Sequence, residues 1–211
     1  MPVNFDKVAP TYDLLSKIVF GNKLKEIQST FLHKLNDDKK YQTILVLGGG
    51  TGWILQEIRK YNKSATITYI ESSPKMLLRA KKVCEENEYQ MVKFLLADHH
   101  LNIPHNEFYD VVITNFYLDV FPAKQLTEVL NHINEHVLKT WIVTDFYEPK
   151  KERYDHRFLL KTMFIFFSIA TGLKNNRLFS YHDMICKRGF KIKLHKQIKK
   201  GFIQTFFLER I

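Results

Sequence analysis

The segment Ile44-Leu45-Val46-Leu47-Gly48-Gly49-Gly50-Thr51-Gly52-Trp53 constrains the fold more than any other stretch of the chain. Its apolar run reads as a strand buried on both faces, the habit of parallel sheets. The run enters Gly48, Gly50 and Gly52, spaced G-x-G-x-G, and then a helix. Glycine permits a tight turn and close approach of a ligand to the backbone. The start of the helix presents free N–H groups at the same point. Strand, glycine turn and helix in that order form a backbone cradle for a nucleotide-like ligand. No lysine stands where a phosphate-gripping loop requires one, which argues against a kinase or ATPase.

The rest of the chain keeps to this pattern. Residues 8 to 35 read as helical, with Leu14, Leu15, Ile18, Leu24, Ile27, Phe31 and Leu35 at three- and four-residue steps and Gly21 separating two short helices. A first strand covers about Thr43 to Leu47, and the helix after it ends before Asn62. A second strand, Thr66 to Ile70, closes at Glu71. Ser72-Ser73-Pro74 then opens a helix, with proline in the first turn where its missing N–H does no harm. Met76, Leu77, Ala80 and Val83 form its apolar stripe. A third strand, Val92 to Ala97, ends at Asp98-His99-His100, and a fourth runs from Phe108 to Asn115. Pro122 starts a helix with the stripe Leu126, Val129, Leu130, Ile133 and Val137. A fifth strand, Thr140 to Thr144, leads into Asp145-Phe146-Tyr147. Residues 150 to 172 read as a charged segment and an aromatic helix, and another helix lies near Tyr181 to Lys187. Phe190 to Lys196 and Phe202 to Glu209 form a hairpin closed by Lys199-Lys200-Gly201.

Strands alternating with helices specify an α/β fold. The expectation is a Rossmann-like, mostly parallel, seven-stranded sheet with helices on both faces, an N-terminal helical cover and an antiparallel C-terminal strand. Such a strand fits a sheet edge. One domain spans residues 1–211, with 1–40 as the cover and 150–188 as a variable helical insertion.

A chain of 211 residues is long enough for one full core. Its 32 basic and 22 acidic residues give a net charge of +10, which suits acidic small molecules, anionic lipid or nucleic acid. The basic stretch Lys187, Arg188, Lys191, Lys193, Lys196, Lys199 and Lys200 reads first as the wet side of a strand, because Phe190, Ile192 and Leu194 alternate with Lys191, Lys193 and His195. Cys84 and Cys186 are the only cysteines, so no disulfide scaffold is expected and a reducing interior is the default. The opening residues do not read as a signal peptide, and the longest apolar run, Met163 to Ala170, is too short to span a bilayer. A soluble, cytoplasmic protein is expected.

Glu71 lies 23 residues past Gly48, at the end of the second strand. There a carboxylate can accept hydrogen bonds from both hydroxyls of a ribose, because neighbouring parallel strands bring their C-terminal ends together. A dinucleotide site would keep G-x-G-x-x-G, whereas here the third glycine is one position early and Trp53 follows it.

With these residues in place, the chain resembles a class I S-adenosylmethionine-dependent methyltransferase over roughly residues 8 to 211. Leu47-Gly48-Gly49-Gly50-Thr51-Gly52 is similar to the family's first motif, and Glu71-Ser72-Ser73-Pro74-Lys75-Met76-Leu77 to its ribose-binding segment. Ala97-Asp98 with Ile103-Pro104 resembles the adenine-contacting loop, and Phe108 to Asn115 the fourth-strand motif. Ala9-Pro10-Thr11-Tyr12-Asp13 resembles the helical lid of the small-molecule branch that includes quinone-ring methyltransferases. One departure is Val46, where the family usually carries an acid two residues before the first glycine.

The resemblance implies S-adenosyl-L-methionine as cofactor and assigns roles. Gly48, Gly49, Gly50, Thr51 and Gly52 approach its methionine part, and Glu71 holds the ribose. Ser72 and Met76 flank the adenine, although core packing suits Met76 equally well. Asp98 receives the adenine amino group with the His99 backbone close by, Tyr12 covers the site, and Asn115 and Tyr117 border the sulfonium. Asp119, Asp145, Tyr117, Tyr147 and His156 stand in regions that reach an acceptor. Asp145 is preferred as base, against the plainer reading of a loop-bonding acid. The acceptor-side set is Tyr117, Asp145, Tyr147 and Arg157, with Phe158, Met163, Phe164, Phe166 and Phe167 as an aromatic stripe beside an apolar or aromatic small molecule or as plain packing.

His132-Ile133-Asn134-Glu135-His136 matches an inverted zinc-protease pattern, but it falls on a helix between two sheet strands, and solvent-facing histidines are expected there. No metal is needed by the implied direct displacement. RNA or protein methylation, with nucleic acid as partner, is the second reading, and a non-catalytic cofactor-binding protein the third. The sequence leaves the oligomeric state open, a homodimer included.

Overall fold

A computed structural model describes residues 22–97, 103–147 and 178–211. Apolar runs pair into a seven-stranded sheet of order β3-β2-β1-β4-β5-β7-β6. Its strands are β1 (Thr43–Leu47), β2 (Thr66–Glu71), β3 (Val92–Leu96), β4 (Tyr109–Asn115), β5 (Val137–Phe146), β6 (Phe190–Ile198) and β7 (Ile203–Arg210). The helices are α1 (Lys23–Ser29), α2 (Trp53–Tyr61), α3 (Pro74–Glu86), α4 (Ala123–His136) and α5 (Tyr181–Cys186). The first five strands pair in parallel, while β7 runs antiparallel to both β5 and β6.

Alternation along the strands sends side chains to two cores. Ile44, Val46, Ile67, Tyr69, Val111, Ile113 and Ile142 face Ile54, Leu55 and Ile58 of α2 and Leu77 and Ala80 of α3. Leu45, Leu47, Ile70, Val112, Trp141 and Val143 face Leu126, Val129, Leu130 and Ile133 of α4. Each fully buried aliphatic side chain contributes about 1.5–3 kcal/mol relative to exposure. A third cluster seats Leu24 and Ile27 of α1 on Phe146, Leu178, Phe202 and Ile203. Helix α1 thereby docks at the C-terminal end of β5.

Several sequence expectations shift. The buried stripe of α3 ends in Cys84 rather than Val83, as a 3.6-residue period from Ala80 favours. Val137 begins β5 instead of ending α4, and His136 takes its place in the stripe. The antiparallel strand β7 lies inside the sheet, with β6 at the edge. Edge strand β6 does not alternate dry and wet as expected. Ile192 is 42% exposed, because a register shift between Ile192 and Leu194 breaks the pleat. His136 is buried, its Nδ1 2.7 Å from the Glu107 carbonyl, and His132 is mostly covered, so these histidines do not face solvent.

Candidate active site

Strand order reverses between β1 and β4, with β2 on one side of β1 and β4 on the other. In open α/β sheets that crevice beyond the C-terminal strand ends is where ligands bind. The glycine turn after β1 fills its floor.

Two glycines there have no substitute. Gly52 has φ +91°, and a Cβ on it would stand 2.6 Å from the Ala80 Cα, so its absence lets α3 lie against the start of α2. A Cβ on Gly49 would fall 2.3 Å from the Tyr69 ring, which lies beneath the turn. The Tyr69 hydroxyl donates to the Gly50 carbonyl at 3.0 Å. Tyr69 is also the register partner of Val46 on β1. The turn is therefore fastened from β2 by a neutral phenol. Burial first, then the charge of Glu71, hold that phenol well above its ordinary pKa.

Glu71 closes β2 and is 5% exposed. Its Oε2 accepts from the Gly50 N–H at 2.9 Å, and its Oε1 from the Ser73 N–H at 2.9 Å and the Ser72 hydroxyl at 3.4 Å. Burial raises its pKa, and the N–H groups of Ser73, Gly50 and Ser72 oppose that rise. Oε2 keeps acceptor capacity beyond its one bond. The Ser73 side chain accepts from the Met76 N–H at 3.2 Å and caps α3. Met76 itself is buried.

Across the crevice, Asn115 ends β4, and its Oδ1 is buried without a hydrogen-bond partner. Phe116 follows with φ +50°, its N–H on the Thr144 carbonyl at 2.7 Å, which swings the chain over the sheet end. The Tyr117 ring then lies against Gly48. Burial and next the charge of Glu71 raise the Tyr117 phenol, so it too stays neutral.

Asp145 is fully buried at the end of β5, accepting from the Leu118 N–H at 3.0 Å and the Phe146 N–H at 2.9 Å. It holds the loop after β4 onto β5, as its plainer reading anticipated. Tyr147 follows in the core beside Tyr181, ring centroids 5.3 Å apart.

The structure thus brings Gly48, Gly49, Gly50, Thr51, Gly52, Glu71, Ser72, Asn115 and Tyr117 around one crevice and puts Asp145 and Tyr147 beside it. Tyr12, Asp98, His99 and Arg157 lie outside the described residues, as do His156 and the aromatic stripe. Sequence reasoning missed Tyr69 and Tyr181. Tyr69 was within reach: it stands two residues before Glu71 and so shares its face of β2.

A family model described as a methyltransferase domain matches residues 44–140. That match spans less than half of the chain. Solved structures agree in fold. An O-methyltransferase family protein from Burkholderia thailandensis superposes with TM-score 0.71 at 15% identity, covering 100% of this chain and 64% of that one. Mitomycin 7-O-methyltransferase gives TM-score 0.70 at 14% identity, covering 99% of this chain and 61% of that one. Magnesium protoporphyrin IX methyltransferase from Synechocystis PCC 6803 gives TM-score 0.66 at 15% identity and covers 98% and 96%. This chain accordingly spans less than two thirds of the first two. No curated protein matches it.

S-adenosylmethionine is the cofactor that the methyltransferase-domain match supports, and the residues present fit it. An acid with spare acceptor capacity, glycines that leave the main chain bare and an unpartnered amide oxygen face one another across the crevice. Among the described residues no group of three His, Cys, Asp or Glu could hold a metal, and no helix is long and apolar enough to cross a membrane.

Proposed function

We propose that this methyltransferase modifies a small molecule, apolar or aromatic, in the cytoplasm, as one domain with residues 150–188 beside the acceptor. The carrying observation is the hydrogen bond from the Gly50 N–H to Glu71. It makes the bare turn and the sugar-gripping acid one unit at the strand reversal. The names of the three solved relatives, each a methyltransferase, support the small-molecule reading.

In this reading Gly48, Gly49, Gly50, Thr51 and Gly52 line the methionine part, Glu71 binds the ribose hydroxyls, and Ser72 and Met76 border the adenine with Asp98 and His99. When bound, the cofactor supplies an electrophilic methyl group. The chain's own work is orientation, which accounts for a large share of such catalysis. Asn115 and Tyr117 border the reacting centre, Tyr12 covers it, and Tyr117, Asp145, Tyr147 and Arg157 lie toward the acceptor. Neutral Tyr69 and Tyr117 keep further negative charge away from Glu71.

Calorimetry with S-adenosylhomocysteine and NAD tests the reading. Wild type is expected to bind the first and not the second. Glu71→Ala should weaken binding about 100-fold, the cost of losing a buried charged acceptor. Unchanged affinity would remove the ribose assignment.

A specific surface favours RNA as second reading. Lys23, Glu26, Ile27, Lys196, Ile198 and Lys199 line a groove of about 260 Å³ between α1 and β6. It lies at the sheet edge, four strand positions from β1. RNA binding that falls steeply with salt and competes with methyl transfer would favour RNA over a small molecule.

A further inference from the structure

The groove between α1 and the β6–β7 turn has no part in the cofactor assignments, and it concentrates positive charge without neutralising it. Lys23, Glu26 and Ile27 of α1 form one wall, and Lys196 and Ile198 of β6 with Lys199 of the turn form the other. Glu26 is the one acid lining it among the described residues. Elsewhere Lys40, Lys60, Lys93, Lys139 and Lys193 each reach a carboxylate. Lys23, Lys196 and Lys199 reach none among the described residues. Alternation along the end of β6 puts Lys196 on the side of Leu194 and Ile198. Those two neighbours pack against the core under α2 and α3 and against the cluster that holds Ile27, so Lys196 stands at the seam between them. Lys199 and Lys200 take φ of +49° and +56° ahead of Gly201. That backbone is left-handed, which glycine adopts freely and lysine at a cost. A turn selected for stability alone would carry glycine or asparagine there. The turn lies at the crevice end of the sheet, because Ile203 pairs with both Phe146 and Ile198. Three strand spacings separate β6 from β4, about 14 Å.

We propose that this groove binds a phosphate group, carried by a free small molecule or by a lipid headgroup. Three ammonium groups against one carboxylate leave the groove cationic. The apolar side chains of Ile27 and Ile198 between them displace water that would otherwise screen the attraction. S-adenosylmethionine carries no phosphate, so the ligand is a second molecule, and the inference does not depend on the cofactor assignment. No ring lines the groove among the described residues, whereas single-stranded nucleic acid is held by stacking as well as by charge. The cost of a left-handed lysine at position 199 is offset when its ammonium group gains an anion.

The test titrates the full chain with pyrophosphate, with vesicles of phosphatidylglycerol in phosphatidylcholine, and with vesicles of phosphatidylcholine alone. Binding of pyrophosphate identifies a free ligand, and binding of the anionic vesicles without pyrophosphate identifies a headgroup. In either case Lys196→Gln and Lys199→Gly should each weaken binding about fivefold, the worth of one lysine beside an anionic surface, and Glu26→Gln should strengthen it. Lys199→Gly relieves the left-handed turn, so its urea midpoint should be no lower than that of wild type and its lost affinity is not lost fold. Lys82→Gln, exposed on α3, should bind as wild type does, and none of these variants should change S-adenosylhomocysteine affinity. Equal losses from Lys82→Gln and Lys196→Gln would reduce the effect to net charge and overturn the site. Binding to neither probe overturns it as well. A single-stranded RNA that binds where neither probe does, and suffers as much from Lys191→Gln as from Lys196→Gln, would make β6 a track for a polymer and overturn the groove. Failure of wild type to hold S-adenosylhomocysteine would sink the function proposed above and leave the groove standing.

Discussion

The two ends of the sheet treat carboxylates in opposite ways. At the N-terminal end of the parallel strands, Asp110, Glu209 and Glu107 each meet a lysine. Asp110, at the start of β4, pairs with Lys139 at 2.8 Å and accepts from the Gln42 and Thr43 N–H groups at 2.8 and 3.1 Å. Glu209 lies between Lys40 and Lys193, and Glu107 bonds Lys93 and Tyr109. Burial would raise Asp110 and Glu209, but Lys139 with the Gln42 and Thr43 N–H groups outweighs it for the first and Lys40 with Lys193 for the second, and both sit below the ordinary range. Lys93 first and then Tyr109 lower Glu107. At the C-terminal end, Glu71, Asp119 and Asp145 are held by backbone N–H groups, and burial raises all three. Ion pairing at one end fastens loops. At the other, acids kept in dipolar surroundings retain capacity for a ligand.

The contrast has a sign in pH. An acid whose folded pKa is raised binds more protons folded than unfolded, so its contribution to stability falls as pH rises above about 4. For Asp119 that loss runs to about pH 7. Asp119→Asn should therefore unfold at higher urea than wild type at pH 8, by a few kcal/mol, and match it near pH 4. Equal midpoints at pH 8 would dissolve the contrast at this end. An acid with a lowered pKa contributes stability above its unfolded value and loses it as pH falls through the folded one. Asp110→Asn should cost about 2 kcal/mol at pH 7, the scale of hydrogen bonds to a charged group. The deficit should shrink as wild type itself protonates below pH 4, and a deficit independent of pH would show that shape, not charge, matters there.

How much of this was legible depends on whether local chemistry or long-range packing decides a position. The run Ile44 to Gly52 encoded strand, turn and helix because a continuous apolar segment and three glycines admit few alternatives, and Glu71 followed from parallel pairing. The edge position of β6 did not follow, because its apolar residues alternate as well as those of an inner strand. Only the pairing of β7 with β5 puts β6 outside. His132 and His136 read as wet, yet His136 fills a gap beside Phe108, 6.1 Å between ring centroids, which no helical spacing announces. The packing of Tyr181 on Tyr147, ring centroids 5.3 Å apart, joins segments 34 residues apart (147 to 181) and was invisible for that reason.

Tyr69 sharpens the comparison from the ligand end. Its phenol is kept neutral by burial, so its bond to the Gly50 carbonyl should persist over the working pH range. Tyr69→Phe keeps the ring beneath Gly49 and removes that bond alone. It should weaken S-adenosylhomocysteine binding about fivefold, one neutral hydrogen bond's net worth, with little change in the unfolding midpoint. A drop in stability without a drop in affinity would make Tyr69 a core residue rather than a support of the turn.

The smallest effect lies back at the lysine-paired end. Glu209 is 29% exposed at its side chain, with Lys40 and Lys193 each 3.4 Å away. Solvent screens both pairs, and ordering three long side chains offsets part of the attraction. Glu209→Gln should therefore cost about 0.5 kcal/mol or less at pH 7, and the difference should vanish in high salt. Asp110→Asn, whose carboxyl is also bonded to backbone N–H groups, should keep most of its cost in the same salt. If the two variants instead faded together, the N-terminal end would be held by screened surface charge throughout. The opposition between the ends would then reduce to exposure against burial, with no part played by what each acid is bonded to.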